Sequence, residues 1–188
     1  SNNTPSASTV LSFLGPLGTF TDQALLTQKD LSICDLDPLA SIPEVLHCVS
    51  DGRSDLGFVA IENSIEGSVN ITQDTLTFET DVLIQREVVI SVQMNLLVNS
   101  DVTLANIEEV VSFPHATAQC RQWLAENLPN AVHRAANSTA EAARHLAESK
   151  ALNTATIGSA RAAEVYGLNI LAEDIEDHPE NQTRFVLV

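Results

Sequence analysis

The chain has 188 residues, with nine Lys and Arg against 25 Asp and Glu, for a formal net charge of -16. That length suits one large domain or two small lobes, and an apolar content of 44% supplies a sizeable core and argues against global disorder. A nucleic-acid or anionic-membrane binder needs a basic face, which this charge disfavours, and no apolar run reaches the length of a transmembrane helix.

The N-terminal Ser1-Asn2-Asn3-Thr4-Pro5 lacks the basic and then apolar pattern of a signal peptide. Val10–Leu14 reads as a strand that ends in the glycine turn Gly15–Phe20, and a helix is expected over 21–28. Ser41, Pro43 and Glu44 form the start signal of a second helix, which Asp51-Gly52 ends. Leu56–Ile61 is a continuous apolar run, as in a strand covered on both faces, and it stops at Glu62-Asn63-Ser64. Residues 83–98 are β-rich, with two strand segments expected on either side of Gln85–Glu87.

Val110–Ser112 is a short strand, and Pro114 opens a helix expected to run unbroken to Asn127. Ser138 and Glu141 form a capping box for an alanine-rich helix. Ala155–Ile157 is a strand, Gly158-Ser159 leads into a helix over Ala160–Tyr166, and Gly167 is its natural stop. Asn169–Ala172 is a strand, 173–179 an acidic connector, and 183–188 the last strand. Strands alternating with helices predict an α/β fold with mostly parallel sheets.

Ligands of such folds bind beyond the carboxyl ends of strands. The candidate junctions are Gly15–Phe20, Glu62–Ser68, Ser112–Thr117 and Gly158-Ser159. The last three carry backbone N–H groups that suit carboxylates in a protein short of cations. Each has a plainer reading: turn relief at Gly15 and Gly18, capping by Glu62, Asn63 and Ser159, and a solvated first-turn His115. Cys34, Cys48 and Cys120 are odd in number and scattered, as free thiols in a reducing cytoplasm would be. Cys120 is expected inside a helix, where the dipole does little for a thiolate. The five histidines show no metal-ligand spacing. On these patterns alone the chain is an α/β protein with several candidate anion-binding loops.

Taken together, the motifs resemble the prephenate dehydratase family. The carriers are Gly15-Pro16-Leu17-Gly18-Thr19-Phe20, Ile61 to Ser68, Ser112 to Cys120, Gly158-Ser159 with Tyr166-Gly167-Leu168, and Asn181-Gln182-Thr183-Arg184-Phe185, in the family's order over residues 10–188. Phe113 and His115 stand where the family commonly has His and Gln, and Met94 where many relatives have a histidine-containing strand. The Phe-Pro form, with Arg121 to Leu124 after it, looks like the actinobacterial branch.

The resemblance implies two α/β lobes similar to the type II periplasmic-binding-protein fold. The first lobe would comprise 10–79 and 174–188, the second 80–173, with the active site in the interlobe cleft. It implies conversion of prephenate to phenylpyruvate with loss of water and carbon dioxide, in phenylalanine biosynthesis, in the cytoplasm, with no cofactor and no metal. A prephenate decarboxylase-like enzyme and a non-enzymatic small-anion binding protein are the alternatives. Thr183 would be the catalytic group, donating to the departing hydroxyl. Thr19, Asn63, Ser64, Arg184 and Phe185 would bind substrate, with Glu62, Gln119 and Ser159 behind them. Strand alternation sets Arg184 opposite Thr183 and Phe185 unless a bulge intervenes.

Implied partners are prephenate and further copies of the chain in a homodimer or homotetramer, with neither nucleic acid nor membrane. Family members usually carry a C-terminal ACT domain that binds phenylalanine. The stop at Val188, inside an apolar strand, is the expected mark of truncation, and phenylalanine is a partner only if that module exists in a longer chain.

Overall fold

The computed structural model describes residues 4–188, so the leader reading at Ser1-Asn2-Asn3 falls outside the described residues. In chain order the elements begin with β1 (Val10–Leu14), α1 (Phe20–Leu26), α2 (Lys29–Ser32), β2 (Asp35–Leu39), α3 (Ile42–Ser50), β3 (Leu56–Asn63) and β4 (Gly67–Ser68). There follow α4 (Asn70–Asp74), running into a π turn at Thr75–Glu79, then β5 (Arg86–Ser91), β6 (Asn95–Val98), β7 (Glu109–Ser112), α5 (Pro114–Gln119) and α6 (Arg121–Asn127). The chain closes with β8 (Val132–Ala135), α7 (Thr139–Ser149), β9 (Thr154–Gly158), α8 (Ala160–Tyr166), β10 (Asn169–Ala172) and β11 (Gln182–Leu187). Contacts divide it into two α/β units. The first holds residues up to 16, 21–92 and 181–188; the second holds 17–20 and 93–180.

The first unit is built on the sheet β2-β1-β3-β11-β5, with β4 paired to β3. On one face Leu11, Phe13, Phe58, Phe185 and Leu187 pack with Ala24 and Leu25 of α1 and Leu31 of α2. On the other, Val59, Val186 and Val188 pack with Val45 and Leu46 of α3. This double coverage explains the continuous apolar run of β3. Gly57 admits α3: a Cβ there would meet Val49 Cγ2 at 2.9 Å and Val45 Cγ1 at 3.1 Å. Helix α3 starts as its sequence predicts, with Ser41 Oγ accepting from Glu44 N at 3.2 Å.

The second unit is built on the sheet β10-β6-β9-β7-β8. Leu97 packs with Ala143 and Leu146 of α7, Ala162 and Ala163 of α8, and Leu168. Ser138 Oγ accepts from Glu141 N at 3.0 Å, which fixes the start of α7. Gly167 and Lys150 close α8 and α7 in the left-handed conformation.

Several expectations need correction. The sheets are mixed rather than mostly parallel. Strands β1, β2 and β3 run parallel, as do β7, β8 and β9, but β11 is antiparallel to β3 and β5, and β6 to β9 and β10. Apolar runs report burial on two faces and carry no strand direction. The first helix stops at Leu26, and a separate short helix follows at Lys29–Ser32. Strands β2 and β8 escape a hydrophobicity reading because both are sheet edges: β2 carries Asp35, Asp37 and Pro38, and every residue of β8 is exposed.

The β-rich stretch breaks at 92–94, not at Gln85–Glu87. Arg86 begins β5, where it pairs with Leu187 of β11, and its guanidinium reaches Asp30 at 2.7 and 3.0 Å. The helix expected from Pro114 to Asn127 breaks at Cys120. There the acidic connector docks: Asp177 N donates to the Gln119 carbonyl at 2.7 Å, and the Asp177 carboxylate accepts from Gln122 N at 3.2 Å. These contacts satisfy backbone groups that the break exposes.

The division also falls elsewhere than expected. Residues 80–92 belong with the first unit because β5 pairs with β11. Residues 174–180 belong with the second, where Ile175 N donates to Met94 O and Met94 N to the Glu176 carboxylate.

Candidate active site

Strand β11 carries the site motif of the first unit. Its pairing with β5 is unbroken from Gln182 to Leu187, so its side chains alternate strictly. Phe185 and Leu187 bury in one cluster and Val186 in the other, which puts Thr183 on the Phe185 face and Arg184 on the opposite one. Against β3 the register jumps: Arg184 pairs with Glu62, but Phe185 pairs with Ala60, leaving Ile61 as an extra residue. A one-residue insertion inverts side-chain parity beyond it. Without the bulge, Asn63 would share the face of Val59 and Ile61. With it, Asn63 lies across from Thr183 on the same face, and Asn63 Nδ2 donates to Thr183 Oγ1 at 2.9 Å.

The Asn63 amide cannot turn over without loss. Its Oδ1 accepts from the backbone N–H groups of Ile65 and Glu66 at 2.9 and 3.0 Å, so its NH2 faces Thr183. Thr183 is half-buried, and its oxygen is occupied as an acceptor by that amide. The hydroxyl proton therefore points elsewhere. A hydroxyl that accepts one hydrogen bond also donates a stronger one. The pair is a preoriented neutral donor at the end of a strand.

The remaining predicted residues take different parts. Ser64 Oγ donates to Asn181 Oδ1 at 3.2 Å and accepts from Gln182 N at 2.9 Å, so it fastens the entry of β11 with its one proton committed. Phe185 is a core residue rather than a substrate wall: it is buried and stacks on Phe58 with ring centroids 5.2 Å apart. Arg184 points away from Thr183 and meets Glu87 at 3.5 Å. The bulge lies on β3, so it leaves the alternation of β11 intact and does not bring Arg184 round. Glu62 is exposed at the register position opposite Arg184.

In the second unit, Ser159 is fully buried at the start of α8. Its Oγ accepts from Ala162 N at 3.0 Å and donates to the Gly18 carbonyl at 3.0 Å. Tyr166 Oη donates to the Leu17 carbonyl at 2.7 Å. Gly18 has φ +90°, and a Cβ on it would meet Tyr166 Cε2 at 2.9 Å, so the second glycine of the turn is required for close approach. Thr19 is half-buried in this anchored segment. Gln119 ends α5, where its carbonyl receives Asp177 N. Phe113 and His115 stack on each other with centroids 5.3 Å apart.

Cys120 sits at the break before α6, not within a continuous helix. Burial, with the Asp177 and Glu176 charges adding to it, pushes its thiol up to about 12. It is therefore a neutral packing group beside Met94 rather than a nucleophile.

Asn63, Ser64 and Thr183 thus come together in the first unit, whereas Thr19, Gln119 and Ser159 belong to the second. Asn181 and Tyr166 lie inside the family-like motifs, and motif membership alone does not single them out. Asn181 shows a readable signal, a polar residue just ahead of an apolar strand, and it is buried as the acceptor for Ser64. Among the described residues, no group of three His, Cys, Asp or Glu is arranged to hold a metal ion, and no helix is long and apolar enough to cross a membrane.

The comparisons with known proteins agree with these motifs. A family model described as prephenate dehydratase matches residues 11–188. The prephenate dehydratase of Mycolicibacterium gilvum is 40% identical over 95% of this chain and 60% of its own length. Prephenate dehydratase from Arthrobacter aurescens, solved in complex with L-Phe, superposes with TM-score 0.87 at 38% identity over 95% of this chain and 58% of its own. A solved quorum-quenching acylase superposes with TM-score 0.82 at 30% identity over 95% of this chain and 63% of its own. The chain thus spans about three fifths of each of these relatives. With a family match over nearly its whole length, the chain belongs to the prephenate dehydratase family.

Proposed function

We propose that this chain carries the catalytic portion of a prephenate dehydratase, which converts prephenate to phenylpyruvate in phenylalanine biosynthesis. The Asn63–Thr183 hydrogen bond is the observation that carries the reading. In this reaction the ring carboxylate leaves as carbon dioxide, and its bonding electrons enter the ring as the hydroxyl departs from ring carbon 4. The departing oxygen gains negative charge and needs a donor. Thr183 supplies one oriented O–H, and the proton that completes water comes ultimately from solvent. The gain lies in holding the donor where charge develops.

Within this reading Thr183 is the catalytic residue and Asn63 positions it. Ser64 and Asn181 hold the strand entry, and Thr19 contacts a substrate carboxylate from its anchored turn. Arg184, paired with Glu87 on the other face, acts on the strand rather than on substrate. The enzyme is cytoplasmic and forms a homodimer or homotetramer. Phenylalanine takes part only if a longer chain carries an ACT module.

The acylase relative raises amide hydrolysis as a second reading. That chemistry needs a base to take the proton from a nucleophilic hydroxyl. The side-chain partner of Thr183 is an amide nitrogen, which donates. The pair therefore favours hydroxyl departure over nucleophilic attack.

The deciding experiment incubates the protein with prephenate at neutral pH and follows phenylpyruvate by mass and ultraviolet absorbance against a protein-free control. Phenylpyruvate above the control supports the reading. Unchanged prephenate, or a decarboxylated product that keeps its hydroxyl, overturns it for this chain.

A further inference from the structure

A concave site lies wholly within the second unit, between the α5–α6 junction and the edge strand β8. It encloses about 330 Å³, near the lower limit for small-molecule sites. Its lining includes Thr117, Ala118, Arg121, His133, Arg134 and Ala135, and no carboxylate. That composition runs against the rest of the molecule, which has 25 acidic residues and a net charge of -16. Two of the nine Lys and Arg and one of the five histidines converge on this one pocket.

Of the two arginines, Arg121 differs from the others in the chain, and Arg134 shares its acid through one nitrogen only. Arg53, Arg86, Arg144, Arg161 and Arg184 each meet an acidic side chain. Arg121 is exposed and has no ion-pair partner among the described residues. Arg134 uses only its Nε, donating to Glu109 Oε2 at 2.9 Å, while Thr154 Oγ1 holds the other Glu109 oxygen at 3.1 Å. That clamp orients the guanidinium and leaves its two outer nitrogens available. Ser112 Oγ, also in the lining, is turned to the Ile157 carbonyl at 3.4 Å, so the cations supply the polar recognition.

We propose that this pocket is a binding site for a small carboxylate carrying an apolar body about one ring in size. Paired guanidinium groups match carboxylate geometry. Pro114, Ala118 and Ala135 give the ligand body an apolar surround. In a field this negative, a pocket lined by Arg121, Arg134 and His133, with Glu109 offsetting only part of that charge, concentrates organic anions that the remaining surface repels. The site does not depend on the dehydratase reading, since none of its residues belongs to the Asn63–Thr183 cluster.

The test uses benzoate as probe and backbone amide chemical shifts as readout on the whole chain. Saturable shifts centred on residues 117–121 and 133–135 are expected. Arg121→Gln should weaken binding at least tenfold, with Arg134→Gln as a second variant of the same sign, and Thr183→Ala should leave it unchanged. Inorganic phosphate, which lacks the apolar body, should bind at least tenfold more weakly. Absence of saturable shifts, binding indifferent to both arginine variants, phosphate binding as tight as benzoate, or loss of benzoate binding in Thr183→Ala would each overturn the proposal.

Discussion

The hydroxyls of Ser159 and Thr183 sit in comparable places, one at the end of β9 and the other at the start of β11, yet they are wired in opposite ways. Ser159 is fully buried, accepts from Ala162 N and donates to the Gly18 carbonyl. Its proton is committed to the scaffold. Thr183 is half-buried and accepts from Asn63, while its own proton has no acceptor among the described residues. Both residues belong to family motifs, and both are small hydroxyl side chains beside a turn. What separates a structural hydroxyl from a chemical one is whether the proton already has an acceptor. Residue type and motif membership cannot report that.

Substitutions at four positions and one titration probe this contrast, beginning with the largest effect. Phe185→Ala should cost about 3–5 kcal/mol of stability, as removal of a large buried aromatic side chain does, and should lower the thermal midpoint clearly. It tests whether the residue two along from Thr183 is core rather than site. A variant that stays stable but binds substrate poorly would reverse that assignment. Thr183→Ala should reduce phenylpyruvate formation by at least about 100-fold, roughly 2.7 kcal/mol in the barrier, with an unchanged circular dichroism spectrum. Thr183→Ser, which keeps the hydroxyl, should recover most of the loss.

Ser159→Ala removes a helix cap and leaves the Gly18 carbonyl without its partner. A stability loss of about 1–3 kcal/mol is expected in denaturant titration. If turnover falls while stability holds, the contrast between the two hydroxyls fails. Asn63→Asp keeps an acceptor for the N–H groups of Ile65 and Glu66 but removes the donor to Thr183. Turnover should drop about tenfold, roughly 1.4 kcal/mol, with little change in thermal midpoint. An equally large fall in stability would make Asn63 a loop brace only.

The smallest effect belongs to the Arg86–Asp30 pair. The hydrogen bonds from Arg86 hold the Asp30 carboxyl below its usual value, and Asp30 in turn raises Arg86. Because the folded value is depressed, the pair contributes fully above the ordinary carboxyl pKa. Its contribution is lost as pH falls through the lowered folded value. Both side chains are more than a third exposed, Asp30 at 42% and Arg86 at 35%, which limits the effect to under about 1 kcal/mol. The stability gap between wild type and Arg86→Gln should be present at pH 7 and close toward pH 2.

Much of the scaffold was legible because it is written in local rules. Ser41, Ser138 and Gly167 mark helix ends through caps that depend on neighbouring residues, and the apolar run in β3 reports burial directly. The edge strands β2 and β8 were not legible, since an edge carries polar residues and Pro without penalty. Nor was the break at Cys120, whose backbone groups are satisfied by Asp177, more than 50 residues away in sequence. The site was legible as a set of motifs but not as a wiring diagram. Thr183 and Asn63 could be named, but their meeting depends on Ile61 bulging from β3, and no periodicity announces a bulge of one residue. The demotion of Phe185 to the core has the same origin, because its partner Phe58 lies on another strand.

The three thiols give the molecule an internal clock. Cys34 and Cys48 are buried in the first unit and Cys120 in the second. At neutral pH a thiol-reactive dye must wait for a local opening before it reaches any of them, and the rate of capture then measures how often that region opens. Labelling at Cys34 and Cys48 would time the breathing of the unit that carries Thr183, and labelling at Cys120 would time that of its neighbour. The unmutated chain thus carries reporters for comparing the opening of its two halves, with no probe introduced.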